Sequence, residues 1–325
     1  MYSFSHRLIL FASLILACGL FSSDHSHAQN DAPDPNVVKL FFSPIDKNGK
    51  MIAALAQADV RVFDDGKQQT IFSFERMPEQ PISVAVLIDT SMSQGRLQET
   101  AKLTARGFVA SLMQSGRDQV AIIGFAGNPT VAQELTSEKE KVVQAIDRLH
   151  FATPASVGVG TVLSGRTGPE PPASAQSAIW DTIGNASEGL SLPSTAGTRR
   201  AILLLSDGHD TFSRASMRDA IEGALRHDVA VYAIGLGDKS YEGVGESELK
   251  KLTGETGGRA FFPKKTPELQ TIFEQLSEQL HSPYVVSYKR TNRKPAGEIQ
   301  KLKLQLQNPN LREVTLDYRR GYFSL

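Results

Sequence analysis

The chain has 325 residues, and its 35 Lys and Arg balance 35 Asp and Glu, so the formal net charge is zero. This balance excludes the overall basic field by which nucleic-acid-binding proteins attract their ligands, and we expect no nucleic-acid partner. The length allows one large domain with smaller additions. The single cysteine, Cys18, excludes a disulfide or a thiolate metal site in the residues that follow it.

Residues 1–28 resemble a secretory signal segment. The stretch from Leu8 to Phe21 is almost entirely apolar, and a short polar stretch then leads to a Ser26-x-Ala28 cleavage pattern. We therefore expect an exported protein that is either periplasmic or secreted. The alternative is lipoprotein processing at Cys18, which would anchor the protein in a membrane, and only in that case do we expect membrane association.

A small β module is predicted from residue 37 to 78, after a proline-containing linker at residues 29–36. Alternating apolar residues and the turn signals Asn48-Gly49 and Asp65-Gly66 indicate three or four short strands. So few strands are marginally stable alone, and we expect the module to pack on the larger domain.

Residues 80–281 are predicted to form an α/β domain with a doubly wound, mostly parallel sheet. Apolar strand candidates alternate with segments that have helical periodicity, and this alternation is typical of a sheet covered by helices on both faces. The strands are predicted at residues 83–88, 119–125, 200–205, 230–235 and 259–262, with a short antiparallel edge strand at 131–135. The last helix is predicted to start with Thr266 as its N-cap and Pro267 at its first position.

A β-rich extension is predicted over residues 283–325. It carries nine Lys and Arg against three Asp and Glu. This surplus could attract acidic partners or an anionic surface, but the favoured interpretation is the solvated face of a strand hairpin.

Polar side chains stand where two of the predicted strands end. Asp89, Ser91 and Ser93 follow the apolar run 83–88, and Asp207 follows the run 201–206. Open α/β sheets place their ligands at the carboxyl ends of their strands, so we expect these side chains to meet. Carboxylate and hydroxyl oxygens suit Mg²⁺ or Mn²⁺ better than Zn²⁺.

These two motifs resemble the metal-ion-dependent adhesion site of the von Willebrand factor type A domain. Asp89-Thr90-Ser91-Met92-Ser93 corresponds to the Asp-x-Ser-x-Ser loop of that family, and Leu205-Ser206-Asp207-Gly208 corresponds to its third loop. The resemblance implies that the hydroxyls of Ser91 and Ser93 bind a divalent ion directly and that Asp207 acts through water. It implies Mg²⁺ as the cofactor, with Mn²⁺ or Ca²⁺ as alternatives.

The second loop of the family supplies a threonine at the start of a helix, and this chain departs from that pattern. Gln176-Ser177-Ala178 fills the corresponding frame, so the resemblance implies that Ser177 supplies the hydroxyl. The alternative is Thr167, which lies in the preceding stretch rich in Gly, Pro and Ser.

The wider chain resembles a bacterial subset of these domains, in which a short β module precedes the domain and a strand-rich tail follows it. The matching segments are 62–66, 231–237, 256–263 and 320–322. This resemblance concerns architecture and does not identify a partner.

The predicted function is non-enzymatic binding of an adhesion type, in which a partner protein offers an Asp or Glu carboxylate to the metal. An aspartyl phosphotransferase would need a second acid two positions after Asp89, where Ser91 stands, so we expect no enzyme. The alternatives are a metal-independent scaffold or chaperone-like protein of the envelope and, less favoured, a metal-dependent hydrolase. Asp89, Ser91 and Ser93 could also simply cap the following helix, but that role leaves Asp207 unexplained.

Overall fold

The computed structural model describes residues 34, 36–77, 81–113, 116–152, 176–192, 198–237, 243–281 and 283–324. The predicted signal segment, most of the predicted linker, and Thr167 lie outside these ranges. Within them, no helix is both long enough and apolar enough to span a membrane.

Strands and helices alternate through the middle of the chain and give way to strands alone at both ends. The strands are β1 (Val37–Ile45), β2 (Val60–Asp64), β3 (Lys67–Gln69), β4 (Ile71–Arg76), β5 (Ile82–Asp89), β6 (Gln119–Phe125), β7 (Pro129–Thr136), β8 (Arg199–Ser206), β9 (Val229–Gly235), β10 (Ala260–Phe261), β11 (Tyr284–Lys289), β12 (Ile299–Leu306), β13 (Thr315–Tyr318) and β14 (Gly321–Phe323). The helices are α1 (Gln98–Leu112), α2 (Lys139–Arg148), α3 (Ile179–Gly189), α4 (Met217–Arg226), α5 (Glu246–Thr256) and α6 (Glu268–His281).

The central sheet has six strands in the order β10-β9-β8-β5-β6-β7. Neighbouring strands are parallel except for β7, which runs antiparallel to β6 at the edge. The predicted doubly wound, mostly parallel α/β fold is confirmed. The strand predicted at residues 259–262 pairs over only two residues, Ala260 and Phe261, and β9 is its one neighbour in the described sheet.

Helices cover both faces of this sheet, which explains why all eight residues of β5 are buried. Alternate side chains of a strand point to opposite faces. Val84 and Val86 pack in one apolar core with helices α1, α2 and α6. Ala85 and Leu87 pack in a second core with α3, α4 and α5. Strand β5 therefore lies at the centre of the domain, and its last residue is held firmly in place.

The two ends of the chain share two four-stranded sheets, ordered β13-β1-β11-β4 and β14-β12-β2-β3. Strand β1 pairs antiparallel with both β11 and β13, and β2 pairs antiparallel with β12. A third apolar core lies between these sheets and includes Leu40, Phe42, Val62, Tyr284 and Tyr288. The segments predicted as a separate module and a separate extension are thus joined by backbone pairing.

Helix α6 begins one residue later than the Thr266–Pro267 pattern predicts. Thr266 accepts a backbone hydrogen bond from Leu269, and the side chain of Glu268 accepts one from the backbone N–H of Lys264. Residues 266 and 267 form the turn that leads into the helix.

Candidate functional site

Three loops meet at the carboxyl edge of the six-stranded sheet. One follows β5, one precedes α3, and one follows β8. The structure brings together all five side chains that the sequence analysis singled out. Four of them are buried, with Asp89 1%, Ser91 2%, Ser177 4% and Asp207 5% exposed, while Ser93 is half-buried.

The sheet itself positions these loops. Strands β5 and β8 are adjacent and parallel, with Ile88 opposite Leu205, so both chains leave the sheet at the same edge. The loop before α3 is fixed to the end of β6 by a hydrogen bond from the backbone N–H of Ala178 to the carbonyl of Ala126. Ser177 is therefore held beside the residues that follow β5.

Asp89 accepts three hydrogen bonds. Its Oδ1 accepts from the backbone N–H of Ser91 at 3.0 Å, and its Oδ2 accepts from the hydroxyls of Ser177 at 3.0 Å and Ser206 at 2.7 Å. Burial and the nearby charge of Asp207 raise the pKa of Asp89 to about 6, although the hydrogen bonds act in the opposite direction. The ionised carboxylate therefore lies in surroundings that disfavour negative charge.

Asp207 lies on the other side of the two loop serines. Its Oδ2 accepts from the hydroxyl of Ser93 at 2.7 Å and from Nε2 of Gln94 at 2.9 Å, and its Oδ1 accepts from the backbone N–H of His209 at 3.0 Å. The hydroxyls of Ser91 and Ser93 are 3.1 Å apart. Side-chain oxygens thus form a continuous chain of contacts from Ser91 through Ser93 to Asp207.

The arrangement fits a small divalent cation. Asp89 and Asp207 are buried, and neither forms a salt bridge with any other described residue. The described ranges contain no group of three or more His, Cys, Asp or Glu placed to hold a metal. A metal here would accordingly be held by two carboxylates and neutral hydroxyls, a hard oxygen set that suits Mg²⁺ or Mn²⁺.

The loop after β8 needs a glycine directly after Asp207. Gly208 has φ of +85°, a conformation that side chains disfavour, and a Cβ on it would lie 2.9 Å from Cγ of Leu249. This tight turn against α5 directs the backbone N–H of His209 back to the Asp207 carboxylate.

The same loop also fixes the start of α3. Oδ2 of Asp210 accepts from the backbone N–H of Trp180 at 3.1 Å, so Asp210 has the capping role that its short polar side chain favours. The hydroxyl of Thr211 accepts from the backbone N–H of Ser177 at 2.9 Å. These bonds tie the second loop to the third and hold the Ser177 hydroxyl against Asp89.

Gln94 and Ser206 are residues of this cluster to which the sequence analysis gave no role. Gln94 is 1% exposed and lies in a short 3₁₀ turn at Met92–Leu97, where no periodic pattern marks it. Ser206 is the last residue of β8, and its polarity at the end of an apolar run is the one signal that could have identified it.

Residues 84–209 match the family model of the von Willebrand factor type A domain. The match runs from β5 to the residue after Gly208, and so it includes all five candidate side chains. No curated protein matches the chain.

Solved structures of low sequence identity are similar to part of this chain. BatB from Bacteroides thetaiotaomicron has 18% identity, covers 61% of this chain and 98% of its own, and has a TM-score of 0.43. A von Willebrand factor type A protein from Catenulispora acidiphila has 13% identity, with 80% and 75% covered and a TM-score of 0.47. The manganese-loaded TRAP protein of Plasmodium vivax has 12% identity, with 76% and 96% covered and a TM-score of 0.46.

These structural likenesses are too weak to carry a functional argument. The family match rests instead on a continuous segment that contains both strand-end motifs in the order the family requires. The chain therefore contains a segment, residues 84–209, that matches the von Willebrand factor type A domain.

Proposed function

We propose that this protein is an exported, non-enzymatic binding protein that captures a partner through a divalent cation, with Mg²⁺ favoured. The cation would be held by Asp89, Ser91, Ser93, Ser177 and Asp207. The observation that supports this function is the convergence of these five side chains, from three separate loops, at one edge of the sheet.

The charge of the cluster explains why a metal is needed for an acidic partner. Two buried carboxylates without a described counter-ion repel a third carboxylate. A bound divalent ion balances them, and Mg²⁺ usually keeps water molecules that a ligand can replace. The carboxylate of a partner's Asp or Glu is a suitable replacement, so the affinities for metal and partner should rise together.

The hydrogen bonds favour binding over hydrolysis. None of the five side chains bonds to an imidazole in the described part of the chain, and Nε2 of His209 has no hydrogen-bond partner there. The hydroxyls of Ser93 and Ser177 donate to carboxylates that also accept other hydrogen bonds. The arrangement therefore provides ligands for a cation, and no serine of the cluster is paired with a histidine in the described ranges.

A metal-independent envelope scaffold is the second candidate, and the closed set of hydrogen bonds around Asp89 favours it. Three donors already satisfy this carboxylate, as in a site whose role is to order loops. A scaffold of this kind would bind its partner equally well in chelator and in Mg²⁺. The two candidates thus differ in their metal dependence.

Export remains part of the proposal and rests on residues 1–28. Mass spectrometry of the protein from its native cells tests it. A mature N-terminus at Gln29 supports cleavage after Ala28, while a lipid-modified Cys18 supports the anchored alternative. An N-terminus at Met1 contradicts both.

Calorimetric titration of the metal-stripped protein with Mg²⁺ and with Mn²⁺ tests the metal site. We expect saturable binding at one site, lost in Asp89→Ala and weakened in Ser93→Ala. Ser247→Ala is the matched control, since Ser247 is an exposed serine at the start of α5 whose hydroxyl bonds only to Glu248 among the described residues. Equal binding by wild type and Asp89→Ala, both shown to be folded, contradicts the assignment.

A further inference from the structure

A groove of about 770 Å³ lies away from the metal-site loops, among α5, β10, β12 and β13. Residues from the α/β domain and from the basic C-terminal segment line it together. They include Lys250, Arg259, Leu304, Arg312, Leu316 and Arg320. Two of the basic residues of the C-terminal segment, Arg312 and Arg320, therefore line this groove. The proposed metal site gives these residues no role.

The groove follows the edge of a β-strand that has no second strand partner along Thr315–Tyr318 among the described residues, although Arg319, directly after it, bridges to Thr256. Strand β13 is the outermost strand of its sheet and pairs only with β1 in the described chain. All four residues of β13 line the groove, whereas no described residue of β1 does. Unpaired strand edges present free backbone N–H and C=O groups, and an extended peptide can add to such an edge as a further strand.

The charge of the groove selects for acidic ligands. Four lining residues are cationic and only Asp317 is acidic. Arg259 holds Asp317 with two hydrogen bonds, from Nε at 2.7 Å and from Nη2 at 3.1 Å, so this pair is neutral. The other three cationic residues of the lining are Lys250, Arg312 and Arg320.

Two of these three cations have partners that leave their charge available. Lys250 pairs with Glu246 on an exposed helix face, where an ion pair is weak. The guanidinium of Arg320 lies 3.9 Å from the centre of the Tyr318 ring and interacts electrostatically with Asp317, but it forms no salt bridge in the described ranges. Arg312 is exposed and forms no salt bridge in the described ranges.

The lining is also apolar in part. Leu304 and Leu306 of β12, Leu311 and Val314 of the following loop, and Leu316 of β13 all contribute to it. In an extended peptide, successive side chains point to opposite sides. A peptide with alternating acidic and apolar residues can therefore direct one set toward the leucines and the other toward the cations.

We propose that this groove binds an extended acidic segment of a partner protein, which pairs with the outer edge of β13 and places its carboxylates near Lys250, Arg312 and Arg320. A concave surface with apolar lining and an open strand edge fits a polypeptide better than a flat anionic membrane. This site uses none of the proposed metal ligands, so binding here is independent of divalent ions.

Fluorescence polarisation in EDTA tests the proposal with fluorescein-labelled peptides in which Glu alternates with Leu, Val or Phe. We expect saturable binding that weakens as NaCl rises from about 50 to about 300 mM. Arg312→Glu should weaken it about tenfold, and adding Lys250→Glu should weaken it further. The matched control is Lys303→Glu, which reverses an exposed charge on β12 outside the groove and should change affinity little. Peptides with Lys in place of Glu should not bind.

Hydrogen exchange measured by mass spectrometry provides the second readout, and we expect slower exchange over Thr315–Tyr318 when peptide is bound. The proposal is overturned if none of the acidic peptides binds, if Arg312→Glu and Lys303→Glu weaken binding equally, or if β13 gains no protection. Binding to phosphatidylserine vesicles without binding to the peptides would also overturn it. All of these measurements are made in EDTA, so a negative result does not bear on the metal-site proposal. Calorimetric titration tests that proposal separately.

Discussion

The hydroxyl of Ser206 donates a hydrogen bond of 2.7 Å to Oδ2 of Asp89, so the residue directly before Asp207 holds the carboxylate that ends the neighbouring strand. The same hydroxyl accepts from the backbone N–H of Gly208 at 3.0 Å. Ser206 is fully buried and thereby couples the loop after β5 to the loop after β8. Ser206 therefore links the two acidic motifs of the site through hydrogen bonds that do not depend on a metal.

Replacing Ser206 with alanine tests this coupling. Ser206→Ala removes one donor from a buried carboxylate and one acceptor from the Gly208 turn, and we expect a loss of about 1–2 kcal/mol in the free energy of unfolding. Urea denaturation in EDTA measures it. The matched control is Ser187→Ala, since Ser187 is equally buried but bonds only to the Ile183 carbonyl within its own helix. A loss no larger than that of the control contradicts a coupling role.

The backbone of Gly208 should tolerate no side chain. Gly208→Ala places a Cβ at φ of +85° and 2.9 Å from Leu249, and we expect a loss of about 1–3 kcal/mol. Gly184 in α3 has no atom within 4 Å of an added Cβ, so Gly184→Ala should instead stabilise by about 0.5–1 kcal/mol. Thermal unfolding of both variants shows whether the two substitutions change stability in opposite directions. If Gly208→Ala leaves the stability unchanged, the turn is not held as described.

The pair His281–Asp118 should make stability depend on pH. Nε2 of His281 lies 3.1 Å from the buried carboxylate of Asp118, and Nδ1 lies 2.9 Å from the Ser277 carbonyl, so a protonated ring can donate to both. The hydrogen bond with Asp118 raises the pKa of His281, against the effect of burial. Because folding raises the pKa of His281, the protonated ring stabilises the fold at pH values below the ordinary histidine pKa of about 6.5. This stabilisation is lost as the pH rises through the raised pKa.

Urea denaturation of wild type and His281→Gln over a pH series, in EDTA, measures this effect. The difference in unfolding free energy should be largest just below about pH 6.5, the ordinary pKa of histidine, and should shrink as the pH rises above it. A difference that is constant, or that grows with pH, contradicts the described pairing.

Asp64 should hold together the strands from the two ends of the chain. This fully buried carboxylate accepts from the hydroxyls of Tyr288 at 2.9 Å and Tyr322 at 2.7 Å, and from Nε2 of Gln300 at 2.8 Å. We expect Tyr322→Phe to lower the unfolding free energy by about 1–2 kcal/mol. Tyr318→Phe is the control, because the hydroxyl of Tyr318 has no hydrogen bond to another described residue. Equal effects of the two changes in urea denaturation contradict this role for Asp64.

The local pattern of the sequence was sufficient to predict the α/β domain. The apolar run of β5 and its polar end are visible in neighbouring residues, and the parallel arrangement follows from the alternation with helices. Ser177 could be placed because the helix α3 starts two residues after it, at Ile179. The structure brings Ser177 to Asp89, and its role as a metal ligand remains a prediction.

Long-range pairing could not be predicted in the same way. The register of β1 with β11 joins Val37 to Lys289, and no local pattern specifies a partner about 250 residues away. The contact of Gln94 with Asp207 was missed for the same reason, because a polar residue in a short 3₁₀ turn has many possible partners. Two cations of the basic C-terminal segment, Arg312 and Arg320, lie in the groove beside β13, and no local pattern of the sequence shows that β13 is an edge strand.

Anomalous diffraction from crystals of the protein soaked in Mn²⁺ tests the central claim most directly. We predict one strong anomalous peak among the hydroxyls of Ser91 and Ser93 and the carboxylate of Asp207, and its absence from crystals of Asp89→Ala. Crystals that lack a peak at this edge of the sheet, or that show Mn²⁺ bound only elsewhere, would contradict a metal-dependent binding site.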